Sequence, residues 1–173
     1  MKILVSGGAG YIGSHTVLCL LEAGYDTVVI DNFSNSSPHS LERVEELTTK
    51  QILFCEGDLT NRSFLKEVFL SHPEISAVIH FAAFKAVGES TFQPLTYYRN
   101  NVAGSIVLLE EMESAKVRNL VFSSSCTVYG EPEKVPISED FPTGQVSSPY
   151  GRTKYMMEEI IRDHSNANSD FHA

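Results

Sequence analysis

A chain of 173 residues is long enough for one domain, or one and a piece of another, and 42% hydrophobic residues allow a real core. The formal net charge of −9 argues against a general nucleic-acid or anionic-membrane surface. It leaves room for a small anionic ligand, because the backbone N–H groups of a local loop bind phosphate inside an acidic protein.

Taken in chain order, short apolar strands alternate with helices. Residues 3–5 (ILV) read as a buried strand. That apolar run is too short for a signal peptide or a membrane span, so a soluble, cytoplasmic protein is expected. A helix follows over 11–23, with Ile12, Val17, Leu20 and Leu21 on its apolar side and Gly24 ending it. The second strand is 27–30, and a polar loop, NFSNSSPHS, comes after Asp31. A helix at 41–47 leads to a strand at 52–55. A helix at 63–70 leads to a strand at 77–81. A long helix is predicted over 94–115 and a fifth strand over 120–123. The stretch 126–148 has no strong periodicity, and a last helix starts near Pro149, a residue suited to a first helical turn. No repeat or low-complexity tract interrupts this order.

Such alternation predicts βαβ units and a parallel sheet. The fold class is α/β, a doubly wound parallel sheet of Rossmann type with strand order 3-2-1-4-5. A complete sheet of that type has a sixth strand. The polar tail SNANSDFHA after the last helix predicts none.

The chemistry-bearing residues cluster at the carboxyl ends of these strands. GGAGYIG lies between the first strand and the first helix. It holds Gly8, Gly10 and Gly13 in GxGxxG spacing, and Gly7, Gly10 and Gly13 in GxxGxxG spacing. A pyrophosphate needs close backbone approach and helix N–H groups aimed at it, and glycines permit both. No Lys follows Gly13, which excludes a triphosphate P-loop. Asp31 ends the second strand, where an acid accepts hydrogen bonds from ribose hydroxyls and repels a 2′-phosphate, favouring NAD over NADP. Asp58, in EGDL after the third strand, sits where an adenine edge would lie, or else caps a helix. SSSCTVYG puts Ser123, Ser124 and Ser125 at the end of the fifth strand.

Tyr150 and Lys154 stand four apart on the last helix. An ammonium beside a phenol favours the phenolate. That phenolate takes a proton from a hydroxyl while hydride leaves the same carbon for a nicotinamide, and a serine hydroxyl shares the hydrogen bond. A lone YxxxK pair is weak; glycine loop, acid, serine and YxxxK in this order are not. The three cysteines, Cys19, Cys55 and Cys126, match no zinc or CxxC spacing and read as reduced thiols. His15 and His80 lack partners at metal spacing and read as structural.

GGAGYIGSH, DNFSNS, EGDL, HFAAFKAVGES, YYRNNVAGS, FSSSCTVYG, FPTG and SPYGRTK together span nearly the whole chain. They make it similar to the extended short-chain dehydrogenase/reductases, specifically their UDP-glucose 4-epimerase branch. The resemblance implies that Gly7, Gly10, Tyr11, Ile12 and Gly13 hold the pyrophosphate of NAD. It implies that Asp31, Asn32, Asn35 and Ser36 hold the adenosine ribose, and that Asp58 and Leu59 face adenine. Phe81, Ala82, Ala83, Lys85 and Asn100 would line the cofactor, Lys85 reaching substrate as well. Ser125 would be the catalytic serine, Thr127 would face the sugar, Tyr150 would be the base, and Lys154 would also bond the nicotinamide ribose. The implied reaction is NAD-dependent epimerisation at C4 of a UDP-hexose, UDP-galactose to UDP-glucose, through a 4-keto sugar, as in galactose metabolism.

The resemblance also implies a homodimer through the helices near 94–115 and 149–163. Three departures stand out. Ser6 replaces a frequent Thr, and Cys126 replaces a commoner small residue. The pattern also continues in the family past residue 173, so residues 1–173 are expected to be an incomplete NAD-binding domain without the UDP-sugar-binding domain. Two alternatives follow: a cofactor-binding piece without catalysis, or an enzyme for a related UDP-sugar. A 4,6-dehydratase would need an Asp-Glu pair where Cys126 and Thr127 stand.

Overall fold

The computed structural model describes all 173 residues. Five parallel strands, β1 (Lys2–Ser6), β2 (Asp26–Asp31), β3 (Leu53–Glu56), β4 (Ile75–His80) and β5 (Asn119–Phe122), form one sheet in the order β3-β2-β1-β4-β5. The predicted order is the observed one.

The central strands are continuous apolar runs because helices cover both faces. Period-two alternation divides β1: Leu4 joins the cluster on one face, Ile3 and Val5 the cluster on the other. On the first face, Leu4, Val28, Ile30 and Val78 pack against α3 (Arg62–Ser71), α6 (Gly104–Ser114, described with its neighbours below) and α7 (Pro149–Ala167), through Leu65, Phe69, Leu108, Met112, Met157 and Ile161. On the second, Ile3, Val5 and Val29 pack against Val17 and Leu21 of α1 (Tyr11–Glu22) and Leu41 and Val44 of α2 (His39–Thr48). Truncating Leu4, fully buried in this sandwich, to Ala costs about 2–5 kcal/mol.

The segment 87–114 departs from the single helix predicted over 94–115. A short α4 (Val87–Phe92) comes first, then α5 (Pro94–Tyr97), a π-helical stretch (Tyr98–Ala103), and α6 (Gly104–Ser114). Gln93, at φ −127°, leaves the helical region ahead of Pro94, which has no N–H to continue the ladder. VGESTF is too short and too polar to show a helical period. The π stretch widens the backbone at Asn101, whose buried side chain bonds outside its own helix.

The tail also differs from expectation. Phe171 is buried edge-on against His164, with ring centroids 4.5 Å apart. His172 then bridges to Asn119 in parallel, its N–H donating to the Arg118 carbonyl and its carbonyl accepting from Leu120, both at 2.8 Å. One aromatic residue in a polar tail is enough to seat it on the sheet edge. No helix is long and apolar enough to cross a membrane.

Candidate functional site

A cleft of about 320 Å³ opens over the carboxyl ends of β1, β2, β4 and β5. Its floor is the glycine loop. Gly7 adopts φ +73°, and its N–H donates to the Ile30 carbonyl at 2.8 Å. A Cβ there would lie 2.6 Å from the Ala82 nitrogen, and one on Gly13 only 2.1 Å from the Gly7 oxygen. Side chains are thus excluded by the backbone, that of the loop itself at Gly13 and that of Ala82 at Gly7. Of the two glycine spacings, 7-10-13 lines the cleft; Gly8 instead packs on Val29. Gly10 caps α1 with no side chain, so the first N–H groups of the helix, at Tyr11, Ile12 and Gly13, point into the cleft with no intrahelical partner.

Asp31 ends β2, buried. One carboxylate oxygen accepts from the Ala9 N–H at 3.0 Å, the other from the Phe33 N–H at 3.0 Å and the Ser36 hydroxyl at 2.7 Å. Asn32, Ser34 and Asn35 complete this wall. Ser36 lies outside the lining and touches Asp31 from behind. Asp58 lines the cleft beside Leu59 and does not cap α3; that cap is Asn61, which accepts the Phe64 N–H at 3.2 Å. Burial pushes the Asp58 carboxyl up, but hydrogen bonds from Thr60 and Asn32 outweigh it and hold the group below the usual carboxylate range.

The opposite wall comes from the segment after β4, with Phe81, Ala82, Ala83, Phe84 and Lys85, and from Asn100. Behind them, Asn101 is the organiser. Its carbonyl oxygen accepts the Phe84 N–H at 2.8 Å and the Asn100 amide at 2.9 Å, and its amide donates to the Phe84 carbonyl at 2.9 Å and the Thr153 hydroxyl at 3.1 Å. One side chain therefore ties the β4 loop to α7.

Ser123, Ser124, Ser125, Tyr150 and Lys154 close the far end. The 19-residue α7 presents its pair reliably because it starts cleanly: Pro149 stands at its first turn and the Ser148 hydroxyl accepts the Gly151 N–H at 3.1 Å. Lys154 is 4% exposed. Its Nζ donates to the Ser123 carbonyl at 2.7 Å and lies 4.7 Å from the Phe122 ring centroid. Burial lowers its ammonium to about 8. The Ser125 oxygen accepts from the Thr127 hydroxyl at 3.0 Å and its amide at 3.3 Å, which leaves the serine O–H free to donate. Thr127 thus bonds Ser125 and lies outside the lining.

His80 is buried under this site. Its Nδ1 is 2.6 Å from the Ser6 hydroxyl and its Nε2 is 2.7 Å from the Ser105 hydroxyl. Ser105 donates to the Asn101 carbonyl at 2.6 Å, so its oxygen accepts from Nε2–H, and Ser6 donates to Nδ1. Desolvation, then the Lys154 charge, lowers this imidazole to about 3. His15 is exposed on α1 and stacks edge-on with Tyr11.

The cleft brings together Gly7, Gly10, Tyr11, Ile12, Gly13, Asp31, Asn32, Asn35, Asp58, Leu59, Phe81, Ala82, Ala83, Lys85, Asn100, Ser125, Tyr150 and Lys154. Sequence reasoning missed Ile30, Ser34, Gly57 and Phe84 in the lining, and Asn101 behind it. Gly57 and Phe84 belong to the very motifs that carried their neighbours. Asn101 carries no signal of its own, since an Asn-Asn pair inside a helix predicts nothing about which one turns inward.

A family model described as the NAD dependent epimerase/dehydratase family matches residues 3–173. The chain belongs to that family. Among curated relatives of this epimerase/dehydratase chain, the UDP-glucose 4-epimerase of Erwinia amylovora is 59% identical over 171 residues, covering 99% of this chain and 50% of the relative. That of Mus musculus is 54% identical over 178 residues, covering 99% and 51%. The chain spans about half the length of the curated relatives it matches. Among solved structures, the UDP-glucose 4-epimerase of Bifidobacterium longum, in complex with NAD+ and UDP, superposes with a TM-score of 0.95 at 46% identity, over 97% of this chain and 50% of that one. The UDP-Glc/GlcNAc 4-epimerase of Campylobacter jejuni gives 0.92 at 41%, over 99% and 51%.

Proposed function

We propose that this chain carries the NAD site and the catalytic groups of a UDP-hexose 4-epimerase. The observation that carries the reading is one continuous cleft with the glycine cradle at one end and Ser125, Tyr150 and Lys154 at the other. The cradle fits a pyrophosphate: its glycines leave bare backbone lining the cleft, and the helix N–H groups are aimed into it. Asp31 suits a ribose diol and repels a 2′-phosphate. Bound NAD supplies a nicotinamide that accepts a hydride from a sugar carbon and returns it.

Tyr150 takes the C4 hydroxyl proton as hydride leaves C4, giving a 4-keto sugar, and returns that proton when hydride comes back on the other face. The free Ser125 O–H donates to the C4 oxygen and holds it at the phenol. The Lys154 ammonium, one helical turn from the Tyr150 phenol and held by the Ser123 carbonyl, would bond the nicotinamide ribose. Lys85, at the mouth, serves phosphate and sugar hydroxyls, and Thr127 acts on the sugar through Ser125. UDP-galactose and UDP-glucose are the proposed pair.

The proposed partner besides UDP-sugar is a second copy, across α5, α6 and α7. Leu95 of α5, 82% exposed, supports an interface there. Three unpaired cysteines support a reducing, cytoplasmic setting.

The test is NAD binding by calorimetry, followed by conversion of UDP-galactose to UDP-glucose by the same chain. One NAD per chain is expected, with turnover that disappears in Tyr150→Phe. Failure to bind NAD overturns the reading. NAD binding without turnover reduces it to a cofactor-binding unit. Leu95→Glu is expected to move the sedimentation coefficient to that of a monomer; an unchanged dimer removes the proposed interface.

A further inference from the structure

Tyr150, Lys154 and Glu158 stand four residues apart on α7 and follow one stripe of the helix. The first two have roles in the reading above. Glu158 has none there, yet it reaches the same segment. Its Oε1 accepts the Ser124 hydroxyl. Lys154 Nζ donates to the Ser123 carbonyl at 2.7 Å. Consecutive turns of α7 therefore grip consecutive residues at the end of β5.

Ser125 is the next residue, and its hydroxyl is held locally by Thr127. The direction of the Ser124 side chain thus sets the peptide from which Ser125 projects. Glu158 is half-buried, and its side chain bonds no cation, only Ser124. A half-buried carboxylate with one neutral donor adds little to stability. It is a good device for holding one hydroxyl, because it accepts and cannot donate.

We propose that Glu158 is a positioning residue which, through Ser124, fixes Ser125 in register with Tyr150 and Lys154; this rests on the epimerase reading. Catalysis needs the reacting groups placed to a fraction of an ångström, and a shift of about 1 Å costs on the order of 100-fold.

The test compares Glu158→Ala, Ser124→Ala, the double variant and Glu158→Gln in the full 173-residue chain loaded with NAD. The first readout is the backbone amide resonances of Ser124, Ser125 and Cys126. They are expected to move in both alanine variants and to stay near wild type in Glu158→Gln, whose amide oxygen still accepts. The second is UDP-galactose conversion: kcat falls about 10- to 100-fold in either alanine variant with KM nearly unchanged, and no further in the double variant. Unfolding midpoint and NAD affinity stay near wild type. Unmoved resonances in the alanine variants, or losses in kcat that add in the double variant, overturn the proposal. If the wild-type chain does not turn over, the epimerase reading of this chain fails, and the resonances alone decide the Glu158 clamp.

Discussion

Replacing Lys154 by Met changes how stability depends on pH, with a sign that the burial of this side chain fixes. Desolvation lowers its ammonium from 10.5 to about 8 in the fold. Below pH 8 the group is charged in both folded and unfolded chains, and the fold bears the full cost of burying it. Above pH 10.5 it is neutral in both, and that cost is gone. Between the two the unfolded chain binds more protons, so stability rises with pH. A displacement of 2.5 pH units is worth about 3.4 kcal/mol, of which about 2.5 kcal/mol falls between pH 7 and pH 10. Methionine keeps the apolar stem beside Phe122 and removes the titration, while orphaning the Ser123 carbonyl by about 1–3 kcal/mol at every pH. Urea unfolding of both chains from pH 7 upward isolates the effect, because His80, the group coupled to Lys154, stays neutral in the fold over that range. The wild type gains about 2.5 kcal/mol on Lys154→Met between pH 7 and pH 10. A difference that is flat with pH would refute the claim that this ammonium is desolvated.

Gly13→Ala puts a methyl 2.1 Å from the Gly7 oxygen, so the loop must open; NAD affinity by calorimetry is expected to fall at least about tenfold, and an unchanged affinity would mean the cradle does not hold the pyrophosphate. Asn101→Ala strands the Phe84 amide and carbonyl and frees the β4 loop from α7; unfolding in urea should show a loss of about 2–4 kcal/mol, and NAD affinity should weaken with it because Phe84 and Asn100 line the cleft. His80 is held neutral, with its imidazole lowered from 6.5 to about 3, so its contribution is complete above pH 6.5 and is lost as pH falls toward 3. His80→Gln should therefore flatten the acid limb of the stability curve; an acid limb as steep as the wild type's would show that other groups drive it.

The sheet order was legible because β1, β2 and β4 are apolar runs separated by helix-period segments, a pattern that only a two-face-covered parallel sheet satisfies. The glycine loop was legible because its exclusion of side chains is written as residue type, although only the fold decides between its two spacings: Gly8 faces Val29, and Gly7 faces the cleft. Tyr150 and Lys154 were legible as a helical pair beside the serines. Other features depend on contacts between distant segments, which no local pattern encodes. The π stretch carries Asn101, whose amide bonds Phe84 and Thr153, 17 and 52 residues away. The seating of Phe171 against His164 turns a polar tail into a sheet-edge contact. The sequence by itself determined the strands, the glycine loop and the Tyr150–Lys154 pair on one helix, since each rests on residue type at short spacing. Tertiary structure alone decided how far Lys154 and His80 are withdrawn from water, and which hydroxyls hold Ser125, because burial and hydrogen-bond partners arise only when the end of β5 meets α7.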